Sequence, residues 1–308
     1  MKKLLSIVIA ALFTLGCVAM AKALSVDSLT VTYVTAPLNV PSIVEKENGI
    51  FTKTLGIPVE YAEITSGADQ TQALASGDVH VLYAVGGTSI ILSAANGADI
   101  KVLNMYSRAP KAFCLYSVDA SLTTPESLRG KTIAGPAGTN LHELLAAYLA
   151  TAGMTIKDVN FVSMGIPESK AALDGGNADV AMLGGAAAYN ASKQGYHLVT
   201  DGDGLIQAII AVCVTKSYYN AHPDVVEKLM EAQQTVMAKI KNDPETVFAT
   251  TAAYLDLDVE AVREMFECYD FSLEISKTDI EGLQKTADFM YDSGMIEERY
   301  DVAGLFMP

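Results

Sequence analysis

Beyond Leu24 the chain alternates short apolar runs with stretches of helical spacing. The runs Leu29–Val34, Val59–Ile64, Val79–Val85 and Ile100–Tyr106 predict strands, each followed by a helical or turn-rich segment. A second series follows at Thr132–Ala134, Val159–Ser163, Val180–Leu183 and His197–Thr200, with apolar helical stretches such as Leu141–Ala152 between them. That is the βαβ pattern of a parallel sheet covered by helices, written twice. From Pro223 onward only helical spacing remains, over Asp224–Asn242, Pro244–Leu255, Val259–Cys268 and Thr278–Ser293. Each of these segments has Asp, Pro or Thr near its start, and together they are expected to cover one of the sheets.

An internal repeat supports the duplication. Ala73-Leu74-Ala75-Ser76-Gly77-Asp78-Val79-His80-Val81 runs on to Gly86-Gly87, and Ala172-Leu173-Asp174-Gly175-Gly176-Asn177-Ala178-Asp179-Val180 runs on to Gly184-Gly185. Both read as helix end, glycine turn, strand, then glycines. In doubly wound sheets, ligands sit beyond the carboxyl ends of the strands. Here that edge is small and polar throughout: Thr35-Ala36, Thr65-Ser66-Gly67, Gly86-Gly87-Thr88, Ser107-Arg108, Gly135 to Asn140, Ser163-Met164-Gly165, Gly184-Gly185 and Asp201-Gly202. Any one such loop is ordinary turn chemistry, but the matched set points to a binding edge.

Composition narrows the setting. The chain has 308 residues, half of them hydrophobic (50%), too apolar for disorder and long enough for two cores. Its 36 acidic and 21 basic side chains give a net charge of -15, which opposes nucleic acid and anionic membrane surfaces as partners. The one long apolar run is N-terminal, with Lys2 and Lys3 ahead of Leu4 to Cys17 and small-residue cleavage sites at Ala19-Met20-Ala21 and Ala21-Lys22-Ala23. It reads as a signal peptide over residues 1–23, so the mature protein is expected outside the cytoplasm, in the periplasm. Cleavage after Ala23 removes three of the 21 basic side chains and none of the 36 acidic ones, taking the net charge from -15 to -18. Lipidation of Cys17 in Thr14-Leu15-Gly16-Cys17 is the competing route, although a lipobox normally has Leu where Thr14 stands.

The order of Asn39-Val40-Pro41, Gly49-Ile50-Phe51, Ala73-Leu74 with Gly77-Asp78-Val79, Leu128-Arg129-Gly130-Lys131-Thr132-Ile133-Ala134, Gly138-Thr139 and Ala178-Asp179-Val180 resembles the nitrate/sulfonate/taurine group of ABC-transporter substrate-binding proteins. The likeness runs over nearly the whole mature chain. It implies an α/β fold of the type II periplasmic-binding-protein class: two lobes, each a doubly wound sheet, joined by two crossover strands, with extra C-terminal helices. Phe113–Val118 and Ile209–Thr215 match the crossovers. One lobe is then expected from residues 24–112 with 216–308, and the other from 113–215 with the crossover strands. The resemblance implies delivery of a small anion (an organosulfonate such as taurine, nitrate or a carboxylate) to a membrane permease and its ATPase, by a monomer, without chemistry on it and without a cofactor. A neutral heterocycle such as a thiamine pyrimidine, a sensory binding role and an enzyme of the thiamine-pyrimidine kind stand as alternatives.

Not every loop position need touch a ligand. The expected contacts are Thr35, Asn39, Ser66, Gly67, Gly87, Thr88, Arg108, Gly138, Thr139, Asn140, Gly184 and Gly185. Thr139 and Asn140 are cap-type residues ahead of a strongly helix-forming run, so unpaired N–H groups and the positive end of a helix dipole should face the ligand there. Ser66-Gly67 should face them from the other lobe, and Arg108 is a candidate charge partner. Nothing suggests catalysis or a metal. His80, His142, His197 and His222 are scattered, no Gly-x-Ser-x-Gly or phosphate-loop motif occurs, and Asp201-Gly202-Asp203-Gly204 lacks the remaining calcium ligands. Three cysteines survive cleavage, and Cys114 and Cys213 could pair if the two crossover strands are antiparallel neighbours; an odd count favours three buried thiols instead.

Overall fold

The computed structural model describes residues 23–307, so the expected signal peptide and Cys17 lie outside the described residues except for Ala23. The chain opens with β1 (Leu29–Tyr33), α1 (Val40–Asn48), α2 (Ile50–Leu55), β2 (Val59–Glu63), α3 (Gly67–Ser76), β3 (Leu82–Gly86), α4 (Gly87–Ala95) and β4 (Lys101–Arg108). It continues through β5 (Phe113–Ser117), β6 (Thr132–Gly135), α5 (Asn140–Ala150), β7 (Asn160–Ser163), α6 (Ile166–Asp174), β8 (Val180–Gly184), α7 (Gly185–Lys193), β9 (His197–Asp201) and β10 (Ile209–Val214). Five helices end it: α8 (Lys216–Ala221), α9 (Pro223–Asn242), α10 (Pro244–Leu255), α11 (Val259–Phe266) and α12 (Lys277–Asp292).

The strands form two sheets of one design. β1 pairs in parallel with β2, Val31 bridges in parallel to Val81 just ahead of β3, and β10 lies antiparallel between β3 and β4. The first sheet therefore runs β2-β1-β3-β10-β4. The second runs β7-β6-β8-β5-β9, with β5 antiparallel between β8 and β9. Each sheet thus has its second, first and third strands side by side, then one antiparallel strand, then its fourth. In β3 the pairing starts later than the apolar run suggests, and Ala84 sits at φ 79 where the register with β10 slips. This is a bulge, the usual outcome when one strand carries an extra residue.

β5 and β10 are buried along their whole lengths, as central strands must be. They are not neighbours. β10 takes its hydrogen bonds from β3 and β4, so Ile209–Thr215 belongs with the first sheet and not with the middle segment. Cys114 faces the second sheet's core and Cys213 the first's, which removes the Cys114–Cys213 bridge; both are free, as is Cys268. The C-terminal helices pack on the first half of the chain, α9 on α1 and α2, α10 on α1, and α12 on α4 and β10, while α11 also touches α7 and α12 touches α5. Among the described residues no helix is long and apolar enough to cross a membrane.

Candidate functional site

In each sheet the strand order reverses between the first and third strands, and in doubly wound sheets the ligand crevice lies at that switch point beyond their carboxyl ends. In the first sheet it lies between the ends of β1 and β3, in the second between those of β6 and β8. The loops at these four ends meet. Gly184 and Gly185 lie against Pro37 of the β1–α1 loop: a Cβ on Gly185 would fall 1.5 Å from the Pro37 carbonyl oxygen. On the other side, Ser89 of α4 donates to the Gly138 carbonyl at 3.1 Å, and Gly67 packs so closely on Ser89 that a Cβ would sit 2.1 Å from its Oγ. Ser66-Gly67, Thr88 and Gly138 to Asn140 are therefore brought together, as are Gly184-Gly185 and the loop carrying Thr35 and Asn39.

Individual side chains do different work within this edge. Asn39 is buried, and its Nδ2 donates to the carbonyls of Val34 at 2.9 Å and Ala36 at 3.4 Å, so it shapes the β1–α1 loop, while its Oδ1 is buried without a partner. The Thr35 carbonyl accepts from the Asn39 N–H and closes the same turn. Ser66 caps α3 by accepting from the Asp69 N–H. Thr139 stands at the N-cap of α5, yet its hydroxyl donates to the Pro136 carbonyl at 3.0 Å and makes no cap. Gly87 is pressed against the Ile209 carbonyl and Leu283, where a Cβ would lie 3.3 Å from the carbonyl oxygen and 2.8 Å from the Leu283 Cδ2.

Helices α1, α4, α5 and α7 all begin at this edge, and none is capped by its N-cap side chain, although in α1 the Ser42 N–H donates to the Tyr106 hydroxyl and Pro41 has no N–H. The first-turn N–H groups of such helices carry partial positive charge. Apart from Arg108, the expected contact residues carry no ionisable side chain, so the edge draws its positive character from the backbone. His142, in the first turn of α5, accepts from the Gly138 N–H through Nδ1 and stacks on Phe161 at 4.9 Å. Burial lowers its pKa, which keeps it neutral.

Arg108 does not belong to the site. Its Nε and Nη2 each donate to the Asp279 carboxylate at 2.6 Å, Nη1 donates to the Ser272 carbonyl and hydroxyl, and Nη2 also reaches the Glu274 carbonyl. The guanidinium is fully engaged in tying the segment before α12 to the end of β4, because a long cation beside a buried carboxylate is held more strongly than one facing water. Conversely, Pro37, Ser89 and Glu143 take part in the meeting of the loops and escape a reading by residue type. Ser89 follows Thr88 directly, so the loop pattern could have found it. Glu143 could not be found that way, since a glutamate in a first helical turn looks like ordinary dipole chemistry.

Among the described residues there is no cluster of His, Cys, Asp or Glu able to hold a metal ion. Burial raises the thiol pKa of Cys114 to about 12 and also raises those of Cys213 and Cys268. The geometry fits recognition by backbone amides and hydroxyls.

Residues 37–247 match the family described as NMT1/THI5 like. The taurine-binding periplasmic protein of Escherichia coli strain K12 is 30% identical over 219 residues, covering 68% of this chain and 67% of that protein. The alkanesulfonate-binding protein SsuA from Xanthomonas axonopodis pv. citri, solved bound to MOPS, superposes with a TM-score of 0.83 at 22% identity, covering 92% of this chain and 98% of its own. The desulfurization enzyme DszB has the same fold at a TM-score of 0.68 and 16% identity, with 92% and 97% covered.

Proposed function

Because the chain belongs to the NMT1/THI5-like family, we propose that it is an exported solute-binding protein that traps a small anion between two lobes and delivers it to the permease and ATPase of an ABC importer. The observation that carries this reading is the convergence of α4, α5 and α7 on one edge with no N-cap side chain capping any of them. Helix N-termini of this kind bind sulfonate, nitrate or carboxylate without any cationic side chain, which suits a protein whose net charge is -15. An organosulfonate of the taurine type leads, since the 30% identical relative is a taurine-binding protein. The ligand contacts are then the backbone N–H groups at Gly67, Thr88, Thr139, Asn140, Gly184 and Gly185 with the Ser66 hydroxyl, since the Thr88 and Thr139 hydroxyl hydrogens and the Gly138 N–H are used within the protein.

On this reading the lobes are residues 24–112 with the chain from β10 onward, and the segment between. β10 goes with the first because its hydrogen bonds are with β3 and β4. The buried cysteines with raised thiol pKa values and the neutral His142 favour binding over catalysis.

Titration calorimetry and thermal melting with taurine, longer alkanesulfonates, nitrate, an aromatic carboxylate and a thiamine-type pyrimidine test the reading. Calorimetry is the better probe because the chain has no Trp. A bound sulfonate at a hundredfold excess over its Kd stabilises the fold by about 2.7 kcal/mol. Failure of every anion to shift the melt would refute the proposal, and a response to the pyrimidine alone would move it to a neutral heterocycle.

A further inference from the structure

A second buried polar group lies where the two sheets' loops meet. Glu143 of α5 is buried between α4 and α12. Its Oε1 accepts from the Thr286 hydroxyl at 2.8 Å, and its Oε2 lies 2.8 Å from the Thr88 Oγ1, which is also 2.8 Å from the Asn140 Oδ1. The Asn140 Nδ2 faces the Ile209 carbonyl, which sets the amide so that Oδ1 points at Thr88.

The hydrogens do not suffice if Glu143 is ionised. Thr88 has one hydroxyl hydrogen and two acceptors at equal distance, and an ionised carboxylate can only accept. If Thr88 donates to Glu143, the Asn140 Oδ1 faces a bare oxygen at 2.8 Å; if it donates to Asn140, the carboxylate does. A proton on Oε2 resolves the network: Glu143 donates to Thr88, Thr88 donates to Asn140, and Thr286 donates to Oε1.

The surroundings agree, since no cation compensates the carboxyl. α4 (Gly87–Ala95), β8 (Val180–Gly184) and β10 (Ile209–Val214) contain no Asp, Glu, Lys, Arg or His. On α12 the buried Asp279 is engaged by Arg108, while Lys277, Glu281 and Lys285 are exposed and Asp288 is half-buried. On β5 the ionisable groups are Cys114 and Tyr116, whose pKa values are raised by burial. The short turns packed on α5 carry Glu126 and Lys157, both exposed, and Asp158, which pairs with Arg129. His142 is neutral. Burial raises the Glu143 carboxyl above its ordinary range, and the threonine hydrogen bonds do not offset it.

We propose that Glu143 is a proton-coupled latch: it is protonated when α5 meets α4 and α12, and it loses that proton to water when the lobes part. The proposal rests on the two-lobe reading, but not on any particular ligand. A carboxyl whose pKa is raised in the closed contact favours closure at low pH. Above the ordinary carboxylate pKa of about 4.3 the closed-to-open ratio then falls by up to tenfold per pH unit.

The test uses the mature, ligand-free protein, so failure of the proposed ligand class does not affect it. Carboxyl carbon NMR of uniformly labelled protein should show a glutamate that titrates above the ordinary carboxylate range, in step with the expansion, and whose resonance disappears in Glu143→Gln; Glu45, buried and pushed up to about 7, is a separate resonance that stays. If Glu143→Gln does not fold, Thr286→Val assigns the signal by its shift. Small-angle scattering from pH 5 to 8 should show wild type expanding as pH rises, while Glu143→Gln, which keeps a donor and an acceptor in place, stays compact. An ordinary titration for Glu143, or the same scattering response in both proteins, overturns the latch.

Discussion

Gly185→Ala separates lobe closure from simple folding. Gly185 begins α7 at φ 56, and a Cβ there would lie 1.5 Å from the Pro37 carbonyl oxygen, a backbone atom that cannot swing aside. Ordinary carbon–oxygen contact needs about 3.5 Å, so the two loops must separate by about 2 Å. The left-handed backbone adds its own cost of about 1–2 kcal/mol for a residue with a side chain. Gly77 isolates that second effect, since it sits at φ 84 with nothing within 4 Å of its would-be Cβ. Gly77→Ala should therefore lose about 1–2 kcal/mol of stability and bind anion as wild type does. Gly185→Ala should lose a similar amount of ligand-free stability, because the open form avoids Pro37, but its affinity should fall steeply. Losing even one hydrogen bond to a charged ligand costs about 1.5–3 kcal/mol, or about tenfold to a hundredfold in Kd. Melting without ligand and calorimetry with the best sulfonate give both quantities. Equal affinities in the two variants would refute closure of Gly185 onto Pro37.

Two further outcomes follow from residues outside the site. Burial pushes the Asp279 carboxyl up, but Arg108 and Ser276 outweigh it and hold it at about 2, below its unfolded value, so the pair's contribution to stability should be complete above about pH 4 and vanish as pH falls toward 2; Asp279→Ala, which leaves Arg108 without its partner, should destabilise by about 3–5 kcal/mol in denaturant melts at pH 7, and a loss under 1 kcal/mol would contradict the geometry. Cys114, Cys213 and Cys268 should all react with a thiol reagent in denaturant without reductant, with Cys213 silent in the native protein because it is fully buried and its thiol pKa is raised; a disulfide-linked peptide containing any of the three would contradict this.

The duplicated strand-helix pattern, the glycine turns and the small polar edge are local properties, set by side-chain periodicity and turn chemistry over a few residues, so eight of the ten described strands and four of the five C-terminal helices are legible from residue order alone, whereas β5 and β10 follow from the family resemblance and the short α8 from neither. The same holds for most of the edge, where Ser66-Gly67, Thr88, Gly138 to Asn140 and Gly184-Gly185 follow their strands directly. Three matters rest on partners far along the chain. β10 is an apolar run that would suit either sheet, and only its pairing with β3 and β4 assigns it and parts Cys213 from Cys114. Arg108 looked like a free cation at a loop until Asp279, 171 residues on, was beside it. Glu143 reads as an exposed helix-start carboxylate until Thr88 and Thr286 close over it. Periodicity says which face of an element is apolar, but a charged group's behaviour depends on whether a partner or water meets it, and that is decided only when distant segments pack.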